Sequence, residues 1–340
     1  GVCMTFEKLQ ENVNAVQYKP GKRGHYESYF VRANHPSKPL AFWIRYTIFQ
    51  PNGQPEKALG ELWAILFDGE NNKHHALKAE YPFSMCSFGE EDDNIIIGDA
   101  VFTSKLLTGS INYRQCTVKW DLEYTGNSQP LFLFPPKLYT TKLPKAKSLV
   151  SLPFAVFNGY ISVDSHKLEI KNWVGSQNHN WGSKHTDHYA WGQVCGFDNE
   201  PDAFIELATA RIKIGPLWTP FMTPIVLRYK NTEYALNTVT KTFGRAHFGY
   251  FYWEFSAHEN DVELNGSLFA LKEDFVCLPY YNPPGGVKYC LNTKIASCNI
   301  MGSIHGQEIV LQTTNRAAFE ILTDDNSHGL KPIDEIAKNI

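Results

Sequence analysis

Much of what marks the common enzyme and membrane classes is missing from this 340-residue chain. Charged residues make up only 20% of it and the formal net charge is -3, so it lacks the basic footprint of a nucleic-acid binder, and nucleic acid is not an expected partner. No apolar run reaches the ~18 residues that a transmembrane helix needs, and the start lacks the charged-then-apolar layout of a signal peptide. The expectation is a soluble, cytoplasmic protein without a transmembrane segment. The seven cysteines (Cys3, Cys86, Cys116, Cys195, Cys277, Cys290, Cys298) form no CxxC pair and no metal-ligand spacing, which reads as buried free thiols in a reducing compartment. Gly-x-Ser-x-Gly, P-loop and dinucleotide fingerprints do not occur, so hydrolase, kinase and dehydrogenase readings fall away. The acidic stretch 89–99 has no EF-hand order of ligands and glycine. Helical periodicity is scarce, with one short candidate over Ile333–Asn339.

Aromatics and alternation fill the space. Phe, Tyr and Trp number 22, 17 and 8, and they fall in period-2 segments suited to sheets with wide interior faces. Residues 39–49 place Ala41, Trp43, Arg45, Thr47 and Phe49 on one face and Leu40, Phe42, Ile44, Tyr46 and Ile48 on the other; both faces read as covered. Residues 60–68 repeat the theme with Glu61, Trp63, Ile65 and Phe67. A buried Arg45 needs a partner, and a cross-strand pairing with Glu61 would resolve both charges, as a structural ion pair or as part of a binding site. The pattern is all-β, and the length exceeds one ordinary core. Two consecutive antiparallel barrels or sandwiches are expected: an arm at 1–25, a first domain at 26–214, a linker at 215–224 marked by Pro216, Pro220 and Pro224, and a second domain at 225–340.

Titratable chemistry concentrates between Gly175 and Arg211. His179, Trp181, Trp191 and Gln193 sit at odd positions, which in extended chain share one face. Glu206 lies between Ile205 and Leu207 with Phe204 and Ala208 beyond. A carboxyl in such company is either a proton donor kept neutral by desolvation or half of an ion pair with Arg211. His179 is either its partner or a core histidine satisfied by hydrogen bonds. Trp181, Trp191, Trp63 and Trp43 are candidates to line a cavity in which indole faces stabilise a carbocation. His185 and His188 flank Asp187 in a turn, which gives no helical face to bring them onto a metal; His188 is kept as a substrate-side residue.

Several of these segments together carry a resemblance. Asn178-His-Asn-Trp-Gly182, Tyr189-Ala-Trp-Gly-Gln193, Ile214-Gly-Pro216, Tyr281-Asn-Pro-Pro-Gly285 and Tyr289-Cys-Leu-Asn-Thr293 resemble the two-domain lipocalin-like family that includes carotenoid 1,2-hydratase (hydroxyneurosporene synthase) and the AttH-like proteins, and more remotely fungal lipocalin-like Diels-Alderases. The likeness runs from about Gly24 to the C-terminus. It implies lipocalin-like barrels, a cavity for a hydrophobic isoprenoid or polyene, and acid chemistry without an organic cofactor or metal. By that resemblance His179 and Trp181 match the hydratase's histidine and tryptophan, Glu206 takes the place of its acid, and Phe204 stands where a tyrosine is expected. The missing phenol counts against hydration itself and leaves cyclisation or isomerisation open. Three readings follow: a cofactor-independent hydratase, cyclase or isomerase with Glu206, His179 and Trp181 as catalytic residues and Trp191, Gln193, Phe204, Trp63, Trp43, Glu61, Arg45 and His188 around the substrate; a pericyclase; or a lipid carrier with no reaction.

Overall fold

The computed structural model describes residues 4–89 and 94–339; the acidic positions 90–93 of the 89–99 turn lie outside them. The fold is all-β, two curled antiparallel sheets of lipocalin-like half-barrels. The first is thirteen-stranded and the second ten-stranded among the described residues. In the first, Leu40–Gln50 sits between His25–Asn34 and Leu59–Asp68, and His25–Asn34 also pairs with the long strand His166–Gly182. In the second, Tyr189–Cys195 lies between Phe204–Ala210 and Gln307–Thr323.

The chain therefore changes sheets between Gly182 and Tyr189, well before the proline-rich segment at 215–224. That segment runs between Phe204–Ala210 and Ile225–Tyr229, which are neighbours in one sheet. Its prolines accommodate a loop within the second sheet, and the boundary expected there moves upstream. The C-terminus also departs from the expected division and from the helical reading of Ile333–Asn339. Ile336–Lys338 is a strand that returns to the first sheet and pairs in parallel with His75–Pro82.

Each sheet wraps an aromatic core on its inner side. In the first, Tyr29, Phe42, Tyr46, Trp120, Phe157 and Trp173 are buried together, and Trp120 Nε1 donates to the Tyr46 hydroxyl at 2.9 Å. In the second, Trp253, Phe255 and Phe319 fill the same role. The outer faces then pack on each other: Phe30, Trp43, Trp63 and Phe67 meet Leu278, Tyr280 and Leu322, while Leu131, Leu133 and Val150 meet Phe204 and Val226. All eleven residues of Leu40–Gln50 are consequently buried, because one set of alternate side chains fills the barrel and the other fills the layer between the sheets. Truncating one aromatic of this layer to alanine costs about 3–5 kcal/mol.

Candidate functional site

Glu206 lies in that layer between the sheets. On Phe204–Ala210 its neighbours on adjacent strands are Gln193 and Val226, and the side chain is only 3% exposed. Trp191 Nε1 donates to Oε1 at 2.6 Å and Gln193 Nε2 donates to Oε2 at 2.8 Å. Burial pushes the carboxyl up, and the two N–H donors and the Arg32 charge only partly oppose it, leaving the group at about 8. No cation comes within ion-pair distance of it among the described residues; Arg211 instead stacks on Trp218 at 4.6 Å. Burial thus disfavours the charged form of Glu206, and the group is not half of an ion pair among the described residues.

The network continues into the first sheet. Gln193 Nε2 also donates to Asn178 Oδ1 at 3.0 Å, Ser176 Oγ donates to Gln193 Oε1 at 2.7 Å, and Asn178 Nδ2 donates to Ser176 Oγ at 2.8 Å. Asn178, the first residue of the Asn178–Gly182 motif, thus reaches the Glu206 side, whereas His179 and Trp181 face the other way. Trp191 and Gln193 belong to a different strand in a different sheet, so the shared face expected for these four residues does not form. The even positions of the motif point toward the second sheet and the odd positions into the first barrel.

His179 has its own carboxylate there. Nε2 meets Glu27 Oε2 at 2.7 Å, Nδ1 meets the Val13 carbonyl at 2.7 Å, and the ring stacks on Tyr29 at 4.3 Å. Both ring nitrogens thus have oxygen partners. Glu27 is fully buried and accepts from the backbone N–H groups of Gln17 and Tyr18 at 2.9 and 2.8 Å and from the Tyr29 hydroxyl at 3.1 Å, while His25 Nε2 lies 2.9 Å away. Burial pushes the Glu27 carboxyl up, but the His179 and His25 contacts outweigh it and hold the group at about 2. The cluster pins residues 13–18 across the barrel. Trp181 packs beside it with Leu9, Tyr139 and Leu149. His179 is therefore not the partner of Glu206.

Arg45 and Glu61 share the inter-sheet face but do not pair with each other. Arg45 stands opposite Trp63 in register and Glu61 opposite Thr47. Glu61 takes Lys78 Nζ at 2.7 Å, Lys78 also holds Glu80 at 2.9 Å, and the Arg45 guanidinium lies 4.4 Å over the Tyr280 ring. The expected ion pair is corrected to Glu61–Lys78, because the strands are offset by two residues relative to the arrangement it required.

A cavity of about 230 Å³ opens beside the network. Phe30, Phe134, Leu138, Trp191, Met222 and Val239 supply much of its apolar wall, and Tyr26, Tyr189, Asn180, Lys147 and Glu320 its polar groups. Glu206 is not in the wall, but Trp191, which donates to its carboxyl, is. Glu320, one strand away and directly opposite Trp191, reaches the cavity and is held by Lys294 Nζ at 3.1 Å and by Cys290 Sγ at 3.2 Å. Trp43 and Trp63 pack in the layer with their rings 6.5 Å apart and do not line the cavity. Phe204 is buried against Phe154 at 5.5 Å, and His188 meets Phe248 edge-on at 5.0 Å. His185 is stacked on Tyr26 at 4.0 Å, apart from His188. Among the described residues no group of three or more His, Cys, Asp and Glu side chains is placed to hold a metal.

Glu27, Glu320 and Lys147 were not singled out from sequence. The signal for the two acids was the one that found Glu206, a lone carboxylate inside an otherwise apolar or aromatic strand (His25–Val31 and Ala317–Leu322).

Comparisons with known proteins fit this architecture. No family model matches the chain. An uncharacterized protein of Mycobacterium tuberculosis, found in two strains, is 21% identical over 289 residues, 84% of each chain. Among solved structures, a protein described as AttH from Nitrosomonas europaea superposes with a TM-score of 0.54 at 12% identity, covering 88% of this chain and 92% of its own. Kievitone hydratase from Nectria haematococca gives 0.56 at 12% identity, covering 89% of each. At such identities the likeness shows the two-part lipocalin-like fold. Among the described residues no helix is long and apolar enough to cross a membrane.

Proposed function

We propose that the chain is a hydratase- or isomerase-type enzyme that needs no cofactor and acts on an apolar, unsaturated small molecule held between the two sheets. The observation that carries this reading is a buried carboxyl, raised to about 8, hydrogen-bonded to an indole that lines a largely apolar cavity. A carboxyl that keeps its proton at neutral pH in a dry setting can protonate an alkene or enol carbon, and the Trp191 face can stabilise the cation that forms. Glu206 is the donor, reached when the guest turns the Trp191 ring aside. Glu320, held by Lys294 and opposite Trp191 in register, reaches the cavity and is the group placed to take a proton from water or from the guest. The similarity in fold to kievitone hydratase supports hydration as the first reaction to test, and the likeness to the carotenoid 1,2-hydratase family supports a polyene as guest.

The test is incubation of wild type and Glu206→Gln with a panel of polyenes and α,β-unsaturated ketones in deuterated water. Wild type is expected to return product carrying solvent deuterium, and the variant to bind without turnover. Unchanged turnover by the variant would reject the acid assignment. Product free of solvent deuterium would favour a pericyclase. A second reading, a carrier without chemistry, is favoured by the absence of Glu206 from the cavity wall; binding with no turnover of any panel member would support it.

A further inference from the structure

The polar groups at the cavity's outer end are unevenly charged. Next to the cavity lies a second hollow of about 260 Å³, sharing Leu143, Pro144, Ala146, Thr186 and Ile212 with it. Four cationic side chains, Lys145, Lys184, Arg211 and Lys213, line this hollow against one carboxylate, Asp187. Asp187 is taken by Lys184 at 3.4 Å and Lys288 at 3.5 Å. No carboxylate lies within ion-pair distance of Lys145, Arg211 or Lys213 among the described residues. On a chain whose net charge is -3, this is a local excess of positive charge at the mouth of an apolar cavity, and such a mouth concentrates anions.

Inside the mouth, Lys147 carries the same imbalance into the wall. It is 7% exposed, and its ammonium donates to the carbonyls of Leu138 and, at 2.9 Å, Thr141. An ammonium has three donors, so one is left over, and no carboxylate faces it among the described residues. Burial lowers the group to about 8, the sign of a cation whose charge is not neutralised. The other charge in the wall, Glu320, is already balanced by Lys294. An unpaired buried charge is costly, and an incoming anion removes that cost.

We propose that the guest is an amphipathic anion, its apolar body in the inter-sheet cavity and its carboxylate or other acidic head group on Lys147, drawn in through the Lys145–Arg211–Lys213 hollow. This rests on the reading of the cavity as the binding site and names the class of molecule it takes. The apolar wall gives affinity for the body, and Lys147 sets which end enters last.

Binding is measured with a long-chain fatty acid, the matching fatty alcohol and the methyl ester as probes, read by tryptophan fluorescence with Trp191→Phe as control. Wild type should bind the acid about tenfold or more tighter than the alcohol or ester, and Lys147→Met should bring the three together. Because Lys147 also holds two backbone carbonyls, a loss of folding in Lys147→Met is covered by the double variant Lys145→Glu/Lys213→Glu. That variant should slow association of the acid and abolish its salt dependence while leaving the alcohol unchanged. Equal binding of acid and alcohol by wild type, or a preference untouched in both variants, overturns the head-group assignment while the cavity reading stands. Failure of all three probes to bind overturns both.

Discussion

The Trp191 indole N–H and the Glu206 carboxyl meet at 2.6 Å across two neighbouring strands of the second sheet. This contact joins a cavity-lining ring to an acid that the cavity does not touch directly. Under the proposed function, it makes the ring's position a control on the acid's access to a guest.

Replacing Glu206 with Gln should stabilise the fold above acidic pH. The unfolded carboxyl ionises near 4.5 and the folded one near 8, so between those values the native state holds a proton that the unfolded state has lost, and wild-type stability falls as pH rises through the window. Denaturation of both proteins at about pH 5 and about pH 8 should show a variant advantage that grows with pH, reaching roughly 2–4 kcal/mol. A variant uniformly less stable would mean that Glu206 serves as a charged partner.

Glu27 gives the opposite sign. Its folded value near 2 lies below the unfolded 4.5, so its contribution is present above pH 4.5 and is lost as the pH falls from there toward 2. Glu27→Gln should flatten the acid limb of the stability curve. His179→Ala should leave Glu27 buried with one partner fewer, cost on the order of 3 kcal/mol, and increase proteolysis near residues 13–18. It should change guest affinity little, because His179 faces away from the cavity; a large loss of affinity with stability intact would return His179 to the site.

Lys78 sits between Glu61 and Glu80 and over the rings of Trp63 and Tyr281. Lys78→Met leaves two buried carboxylates facing each other, so a loss of about 3–5 kcal/mol is expected at neutral pH. Urea titrations of both proteins at neutral pH check it, and a loss below about 1 kcal/mol would show that the ammonium does not offset the buried carboxylates.

Trp191→Phe keeps an aromatic ring and removes the N–H donor. One of the two contacts that favour the Glu206 carboxylate disappears, so the carboxyl should rise further. A turnover profile should then extend to higher pH on its alkaline side, whereas a profile left in place would separate that limb from Glu206.

The strands and the all-β class were legible because alternation is local: Leu40–Gln50 read as covered on both faces, and every residue in it is buried. Sheet membership was not legible. Tyr189–Cys195 joins the second sheet through pairing with Gln307–Thr323, a long-range choice that no local composition announces, so the prolines at 216, 220 and 224 drew the boundary to themselves. The parity rule that grouped His179 with Trp191 holds within one strand and fails across the turn between Gly182 and Tyr189, where the chain leaves one sheet for another. Arg45 and Glu61 were placed on the right face but in the wrong register, which is fixed by pairing rather than by pattern. The burial of Glu206 was legible because a lone carboxylate in an apolar strand is covered when the strand is, and burial is the first cause of its raised pKa.

Infrared difference spectroscopy of wild type against Glu206→Gln at neutral pH tests the central claim most directly. The account predicts a protonated-carboxyl C=O band in wild type that is absent from the variant, with no matching loss of carboxylate absorption. A carboxylate band lost on substitution, with no C=O band, would show that Glu206 is ionised and contradict the acid assignment.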